Sequence, residues 1–595
     1  MPLARTGPVF DIREIPFSFT GSWFNVSPVI AEKVYADDLH LVSHQTGLHP
    51  VLRLRPMLDG DAVATTVVVR PSHLTWQHDI GRIEAAYERA DTLRIRGTGL
   101  GLALLAAQPE LTPFSGPYLF RDPVDGAHII TLYETGRRYR ITILSGAPRQ
   151  VLGEESLRTA ARGVIMDESA PWEIAVEEFD AARPPYTASM DFPSAVAAAR
   201  DQFDTFLEAV AGWRSPQTPA ADLAAYVLWS ATVSPAGMLG RTAVLMSKHW
   251  MDKVWSWDHC FNAIALAAGA PRLAWDQFLL PFDHQDSAGG LPDSVAHSEV
   301  LYNFVKPPIH GWALRRIRSH TARDLGRDAL LALYQQLRHW TNFWLTTRRA
   351  PGHDLPHYHH GNDSGWDNAT TFDPAHVIES VDLAAFLILQ LHELASLATE
   401  LGDPTAAHDW TATARQLTRA VLAAWNGDAF HTTAAHTGQT WTSGSLLNLM
   451  PIVLADLLPA EIRTVMVERI GRHLTEYGLA TELPDSPDYE ADGYWRGPIW
   501  APSTVLIEDG LRRAGHVDLA DEISRRFRGL CENSGFAENF DAKTGAGLRD
   551  RAYTWTASSY LILAAAYEHR RHTNIASPTG LPHQAIEPTG SHQRV

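Results

Sequence analysis

Leu383-Ala384-Ala385-Phe386-Leu387-Ile388-Leu389-Gln390-Leu391-His392-Glu393-Leu394 is the stretch that decides the fold. Leu383, Phe386, Leu387, Leu391 and Leu394 recur at the three- and four-residue spacing of one helix face, so the stretch predicts a buried helix. Leu330, Leu331, Leu337, Trp340, Phe343 and Trp344 form a second stripe of the same kind. From about Ser194 the 3.6-residue period continues, giving about 12–13 helical segments between residues 193 and 571 and no strand series. A ring of helix pairs accommodates that number better than one bundle core. No short repeat recurs at a fixed period, which argues against a solenoid.

Upstream of Ser194 the period is two. Leu52-Arg53-Leu54-Arg55, Leu93-Arg94-Ile95-Arg96 and Tyr139-Arg140-Ile141-Thr142-Ile143 read as half-buried strands. Asp59-Gly60, Asp125-Gly126 and Thr135-Gly136 supply turns between strands. The expected organisation is an antiparallel β-sandwich over residues 1–190, a helical domain over 191–572 and a disordered polar tail over 573–595. The sandwich shows no catalytic pattern. Three long connections in the helical part, 282–305, 350–377 and 481–498, are rich in Gly, Pro, Asp, Asn and Trp, a composition that usually carries function.

The composition narrows the function. Of 595 residues, 45% are apolar and 20% charged, enough for a large core. A net charge of −18 is the wrong sign for a phosphate-backbone binder, so no nucleic-acid partner is expected. Cys260 and Cys531 are the only cysteines and make no disulfide framework. Asp11, Arg13 and Glu14 interrupt the start, where a secretory signal needs an apolar run. The longest apolar runs, such as Leu383 to Leu389, fall short of the roughly 20 residues that span a bilayer. A soluble, cytoplasmic protein without a membrane partner is the expectation.

Four clusters could carry chemistry. Gly361-Asn362-Asp363-Ser364-Gly365-Trp366-Asp367-Asn368 sets carboxylates beside an indole, Trp366, that can desolvate Asp367 and suit it to donate a proton. The same residues also suit a turn before a helix. Phe536-Ala537-Glu538-Asn539-Phe540-Asp541 precedes a Lys543-Thr544-Gly545 turn. Glu538 there reads either as a surface carboxylate or as the partner of Asp367 across a pocket. Trp255-Ser256-Trp257-Asp258-His259 and Tyr494-Trp495-Arg496-Gly497-Pro498-Ile499-Trp500 set aromatic faces beside hydrogen-bonding groups. A sugar needs both, although core tryptophans look the same.

His353, His357, His359 and His360 match no standard zinc spacing, so no metal is expected, and His360 is the one placed toward a sugar pocket. Glu379 and Asp382 start an apolar helix and read as caps. A P-loop, a dinucleotide fingerprint and a nucleophile elbow are all absent, and no cofactor is expected.

Taken in order, Val254-Trp255-Ser256-Trp257-Asp258, Ser364-Gly365-Trp366-Asp367-Asn368, Tyr494 to Trp500, and Glu538-Asn539-Phe540-Asp541 with Thr544-Gly545 and Thr554-Trp555-Thr556-Ala557 resemble glycoside hydrolase family 63 over about residues 220–570. That resemblance implies an (α/α)6 barrel with its site in the funnel at one end. It further implies inversion, with Asp367 as general acid and Glu538 as general base. By the same matching, Trp255, Asp258, Trp495, Arg496, Trp500 and Trp555 line the subsite for the cleaved sugar. Asp367 then needs a raised pKa, while Glu538 must stay ionised.

The expected enzyme is an inverting α-glycosidase, acting on an α-glucosidic bond in a small glucoside or oligosaccharide. The alternatives are a trehalase-like enzyme, a mannosylglycerate- or glucosylglycerate-type hydrolase, and a catalytically silent carbohydrate-binding relative. A glycerate leaving group needs a cation, for which Lys306 and Arg549 are candidates.

Overall fold

The computed structural model describes residues 7–30, 34–108, 110–112, 114–155, 157, 161–321 and 325–576. The alternating N-terminal segments form two antiparallel sheets. One runs in spatial order through Phe24–Ile30, Val34–Ser43, His49–Leu58, Gly101–Ala106, Gly163–Met166 and Pro148–Leu152, with Asp61–Ala62 paired to His49–Leu58. The other runs through Pro117–Arg121, His128–Leu132, Arg137–Ser145, Trp172–Phe179, Thr92–Thr98, Arg82–Arg89, His73–Gln77 and Thr66–Arg70. Their inner faces meet where the Phe24 and Tyr87 rings stack, 5.3 Å between centroids.

Leu52, Leu54, Leu93, Ile95, Tyr139 and Ile141 are buried, as the alternation requires. Two of the intervening arginines are buried as well. Arg94 pairs with Glu88 (2.7 Å) and with Glu173, and Arg140 pairs with Glu177 (2.7 Å). Helix α1 (Phe192–Ala211) lies across the Arg82–Arg89 strand, and the carbonyl of Pro184 accepts from Arg140 at 2.8 Å. The outer face of this sheet is therefore covered, and a buried guanidinium needs a partner charge.

The helical part follows. Helix α13 (Thr554–Ala576) packs on α3 (His259–Leu266), α3 on α5 (His310–Thr321), and α5 on α8 (Val381–Leu401). The circuit continues from α8 to the 3₁₀ segment Leu446–Leu457, from there to α11 (Ala501–Arg513), and from α11 back to α13. A second layer lies outside it. Helix α2 (Ala221–Ala231) covers α13, α4 (Pro271–Leu279) covers α3, and α6 (Arg327–Asn342) and α9 (Pro404–Ala423) cover α8. Helix α10 (Ala460–His473) covers the 3₁₀ segment and α12 (Val517–Ser534) covers α11. Helix α7 (Gly361–Ser364) is a single turn in the 350–377 connection.

The inner position of α8 explains its composition. It is 21 residues long and apolar enough to cross a bilayer, yet 89% of its most apolar window is buried among the other helices. The longest apolar element is thus longer than the runs counted in the sequence, because Asp382, Gln390, His392 and Glu393 interrupt the count without ending the helix.

Three expectations change. Leu331 is 44% exposed, since α6 buries Leu330, Leu333, Leu337 and Trp340 on the face next to it. Short strands do occur between the helices, including Val254–Trp255 with Ser294–Val295, His357–Tyr358 with Ile378–Glu379, and Asn539–Phe540 with Gly547–Leu548. Two-residue strands leave no periodicity to read, but they pin long loops to one another. Finally, α13 runs to Ala576, so residues 573–576 of the expected tail are helical, and the rest of that tail lies outside the described residues.

The two leucines of α6 give a direct check. Leu337→Ala should cost about 2–5 kcal/mol, whereas Leu331→Ala should cost less than about 0.5 kcal/mol. Denaturant unfolding of both variants measures this, and equal losses would contradict the orientation of α6.

Candidate active site

A cavity of about 190 Å³ opens at the N-terminal ends of α3, α5, α11 and α13. Each wall is a loop that precedes one of those helices or α8. Trp255 and Asp258 enter from the loop before α3, Asp293 and Lys306 from the connection before α5, and Asp367 from the connection before α8. Tyr494 and Trp495 precede α11, and Tyr553 and Trp555 stand at the start of α13.

Glycine shapes the Asp367 loop. A Cβ on Gly361 would lie 2.1 Å from the Asp367 carbonyl oxygen, and one on Gly365 (φ 74°) would lie 2.5 Å from the Trp257 ring. Asp363 is the structural carboxylate of this stretch. It accepts from the amides of Val305 (3.1 Å) and His359 (2.8 Å) and from Arg348 (2.7 Å). Asn368 then joins two walls, accepting from the Trp495 amide (3.0 Å) and donating to the Gly493 carbonyl (3.0 Å).

The Glu538 loop is held as closely. The Glu538 amide donates to the Asp550 carbonyl at 2.7 Å, and the Thr556 hydroxyl donates to the Ala537 carbonyl at 2.8 Å. Glu538 is 1% exposed, which overturns its reading as a surface carboxylate. Oxygen Oε2 of Glu538 and Oδ2 of Asp258 are buried without a hydrogen-bond partner among the described residues.

Burial dominates the electrostatics. It pushes Asp367 above the ordinary carboxylate range against the opposing Lys306 ammonium, with Asp293 pushing the same way. Burial also pushes Asp258 up to about 8, again against Lys306. Glu538 is pushed up to about 8 by burial and then by Asp550, while Arg549 and the Tyr494 hydroxyl oppose the rise. Burial thus raises both carboxyls, so the ionised Glu538 that the sequence reading requires is the form favoured toward the alkaline side of about 8. Lys306 balances three carboxylates, with its ammonium 3.0 Å from Asp293 and donating to the Asn362 carbonyl at 2.9 Å.

The residues singled out from the sequence divide into those that line the cavity and those, Glu538 among them, that stand behind or beside its lining. Trp255, Asp258, Asp367, Trp495 and Trp555 line the cavity. Trp366 and Trp500 are buried behind it: Trp500 stacks parallel on Trp495 at 4.0 Å, and Trp366 packs against Trp495 at 4.7 Å. Arg496 turns away from the cavity. It pairs with Asp373 and donates to the Asn368 carbonyl at 2.8 Å, bracing the loop junction. His360 caps α7 through the Asn362 amide (3.1 Å) and lies between the Phe304 and His376 rings. His353 pairs with Glu379, and the rings of His357 and His359 stack. Asp382 accepts from Tyr358 (2.9 Å), so it anchors a short strand more than it caps α8.

Sequence reasoning missed Tyr494, Tyr553, Asp293 and Asp550 as parts of the site. Tyr494 has an unusual backbone, φ 64°, and its phenol is raised by burial and by Glu538, Asp367 and Asp258 together. The Tyr-Trp motif was visible, but nothing in it distinguished the tyrosine from the tryptophans.

Residues 251–556 match the family model described as the mannosylglycerate hydrolase MGH1-like glycoside hydrolase domain. The chain belongs to this family, within glycoside hydrolase family 63. This glycoside hydrolase is 23% identical over 402 residues to a mannosylglycerate hydrolase of Rubrobacter radiotolerans, covering 52% of this chain and 89% of that protein. It is 21% identical to a glucosylglycerate hydrolase of Mycolicibacterium hassiacum, covering 58% and 97%.

Among solved structures, the GH63 mannosylglycerate hydrolase of Thermus thermophilus in complex with glucose aligns at a TM-score of 0.51 and 22% identity. That alignment covers 59% of this chain and 100% of that one. A bacterial glucoamylase complexed with acarbose aligns at 0.58 and 12% identity over 95% and 96%. Both likenesses are of fold alone, and the second extends over both the β-sheet domain and the helices of this glycoside hydrolase.

The raised Glu538 carries a stability consequence. Stability falls as pH rises between the unfolded value, near 4.5, and about 8, because only the unfolded chain ionises this group freely. Glu538→Gln escapes that cost, so its melting temperature relative to the parent should climb between pH 5 and pH 8.5. A difference that is the same at both pH values would contradict a raised Glu538.

Proposed function

We propose that this protein is an inverting α-glycosidase acting on an α-glucosidic bond in a small glucoside or oligosaccharide. In this reading the closed circuit of helices is an (α/α)6 barrel, Asp367 is the general acid and Glu538 the general base. The observation that carries it is the convergence of Asp258, Asp293 and Asp367 from separate loops on one cavity lined by Tyr494, Trp495 and Trp555. A pair of carboxyls suits acid–base cleavage of a glycosidic bond.

The reactive form has Asp367 protonated and Glu538 ionised. Asp367, whose pKa burial raises, gives its proton to the glycosidic oxygen as the anomeric carbon–oxygen bond breaks and the bond electrons stay on that oxygen. Glu538 takes a proton from water as the water oxygen bonds to the anomeric carbon from the opposite face. The products are the free sugar with inverted configuration and the alcohol, with one water consumed. Trp495, backed by Trp500, offers a flat apolar surface to the sugar ring, and Asp258 with Lys306 offers hydrogen bonds to hydroxyls.

The family gives a second reading, in which the leaving group is a glycerate. Its carboxylate would need Lys306, already held by Asp293 and Asn362, or Arg549, which lies over the Tyr494 ring and pairs with the exposed Asp492. Hydrolysis rates on α-linked glucose disaccharides, trehalose, glucosylglycerate and mannosylglycerate separate the readings.

Asp367→Asn and Glu538→Gln should each lower turnover on the preferred substrate by about 10²–10⁴-fold. Circular dichroism and melting should show both variants folded. A variant with near-parental turnover would strip that residue of its role.

A further inference from the structure

Behind Glu538 lies a polar cluster that acid–base cleavage leaves unused. Asp550 follows the Asn539–Phe540/Gly547–Leu548 strand pair that Glu538 precedes, and its carbonyl accepts from the Glu538 amide at 2.7 Å. The Asp550 side chain is buried and tied down on both oxygens. The Ser247 hydroxyl donates to Oδ2 at 2.5 Å, the Ala552 amide donates to Oδ1 at 2.9 Å, and His249 Nδ1 faces Oδ1 at 3.4 Å. Burial works against its charge, but His249, Ser247 and the Ala552 amide together hold Asp550 below the ordinary carboxylate range. An ionised carboxylate fixed in a dry environment disfavours the charge on a second carboxyl beside it.

Two of these anchors lie outside the residues matched by the family model, which begin at 251. Ser247 and His249 belong to a segment clamped by the β-sheet domain. Asn25 donates to the Lys248 carbonyl at 2.7 Å, and the Lys248 ammonium donates to the Ser22 carbonyl at 2.7 Å. His44 of the same domain stands 3.6 Å from Asp252, and Met251 lines the cavity.

We infer that Asp550, fixed by Ser247 and His249, is a positioning residue that orients Glu538 for its task as the base. The inference rests on the reading of Glu538 as the general base. A base that must take a proton from neutral water gains from a higher proton affinity. The other groups facing Glu538 are Arg549 and Tyr494, which oppose Asp550, and Tyr553 just before α13, whose phenol burial and Glu538 itself hold protonated.

The test is the pH dependence of kcat/KM for the parent, Asp550→Asn, Ser247→Ala and Glu538→Gln, each with its melting temperature. Asp550→Asn removes the charge, so the acid limb should move down by about one pH unit, with the plateau kcat reduced about tenfold and KM little changed. Ser247→Ala keeps the charge and loosens it, so kcat should fall several-fold with the limb near its parental pH. An Asp550→Asn enzyme whose acid limb stays in place overturns the inference. Should that variant fail to fold, an unchanged kcat in Ser247→Ala overturns it instead. Glu538→Gln with parental activity would sink the base assignment itself, which distinguishes the two failures.

Discussion

The Lys306 ammonium is buried 3.0 Å from Asp293 in the cavity that Asp258 and Asp367 also line, and the architecture of the site depends on that arrangement. Carboxyls taken out of water either find a cation or keep their protons. One cation shared by three acids cannot keep all of them charged, so Asp258 and Asp367 are raised. Glu538 stands apart from this balance. Its raised value comes from its own burial and from Asp550, which connects it to the Ser247–His249 segment and through that segment to the β-sheet domain.

Holding buried acids in fixed places requires loops that do not move, and the tryptophans supply the rigidity. Trp495 and Trp500 stack at 4.0 Å, while Trp257 and Trp500 each meet Trp555 edge-on. The cluster joins the loops before α3 and α11 to the first turn of α13, so each wall of the cavity braces the next. Asn368 and Arg496 add polar ties between the same loops. Of the many tryptophans in the chain, these carry a structural reason to be where they are.

Much of this was legible in the sequence, for identifiable reasons. The change from period two to period 3.6 near Ser194 located the change from sheets to helices, because each period reports a buried face. The motifs around Asp367 and Glu538 stood out because glycine, aromatic and acidic residues rarely gather in one loop. What stayed hidden depends on contacts between distant segments. Asp550 carries no local signal; its meaning comes from Ser247 and His249, some 300 residues away in sequence. Arg496 and Trp366 carried a strong local signal but face the loop junction and the core. Sequence identifies the loop, whereas the direction of each side chain is set by packing.

The proposed roles set Asp367 and Glu538 on opposite faces of an α-linked sugar. Proton NMR of the anomeric region, recorded during the first minutes of hydrolysis of the best substrate, tests them most directly. Early appearance of the β-anomer, followed by slow mutarotation, is the predicted result. The α-anomer appearing first would mean retention of configuration and would contradict the assigned roles of both carboxyls.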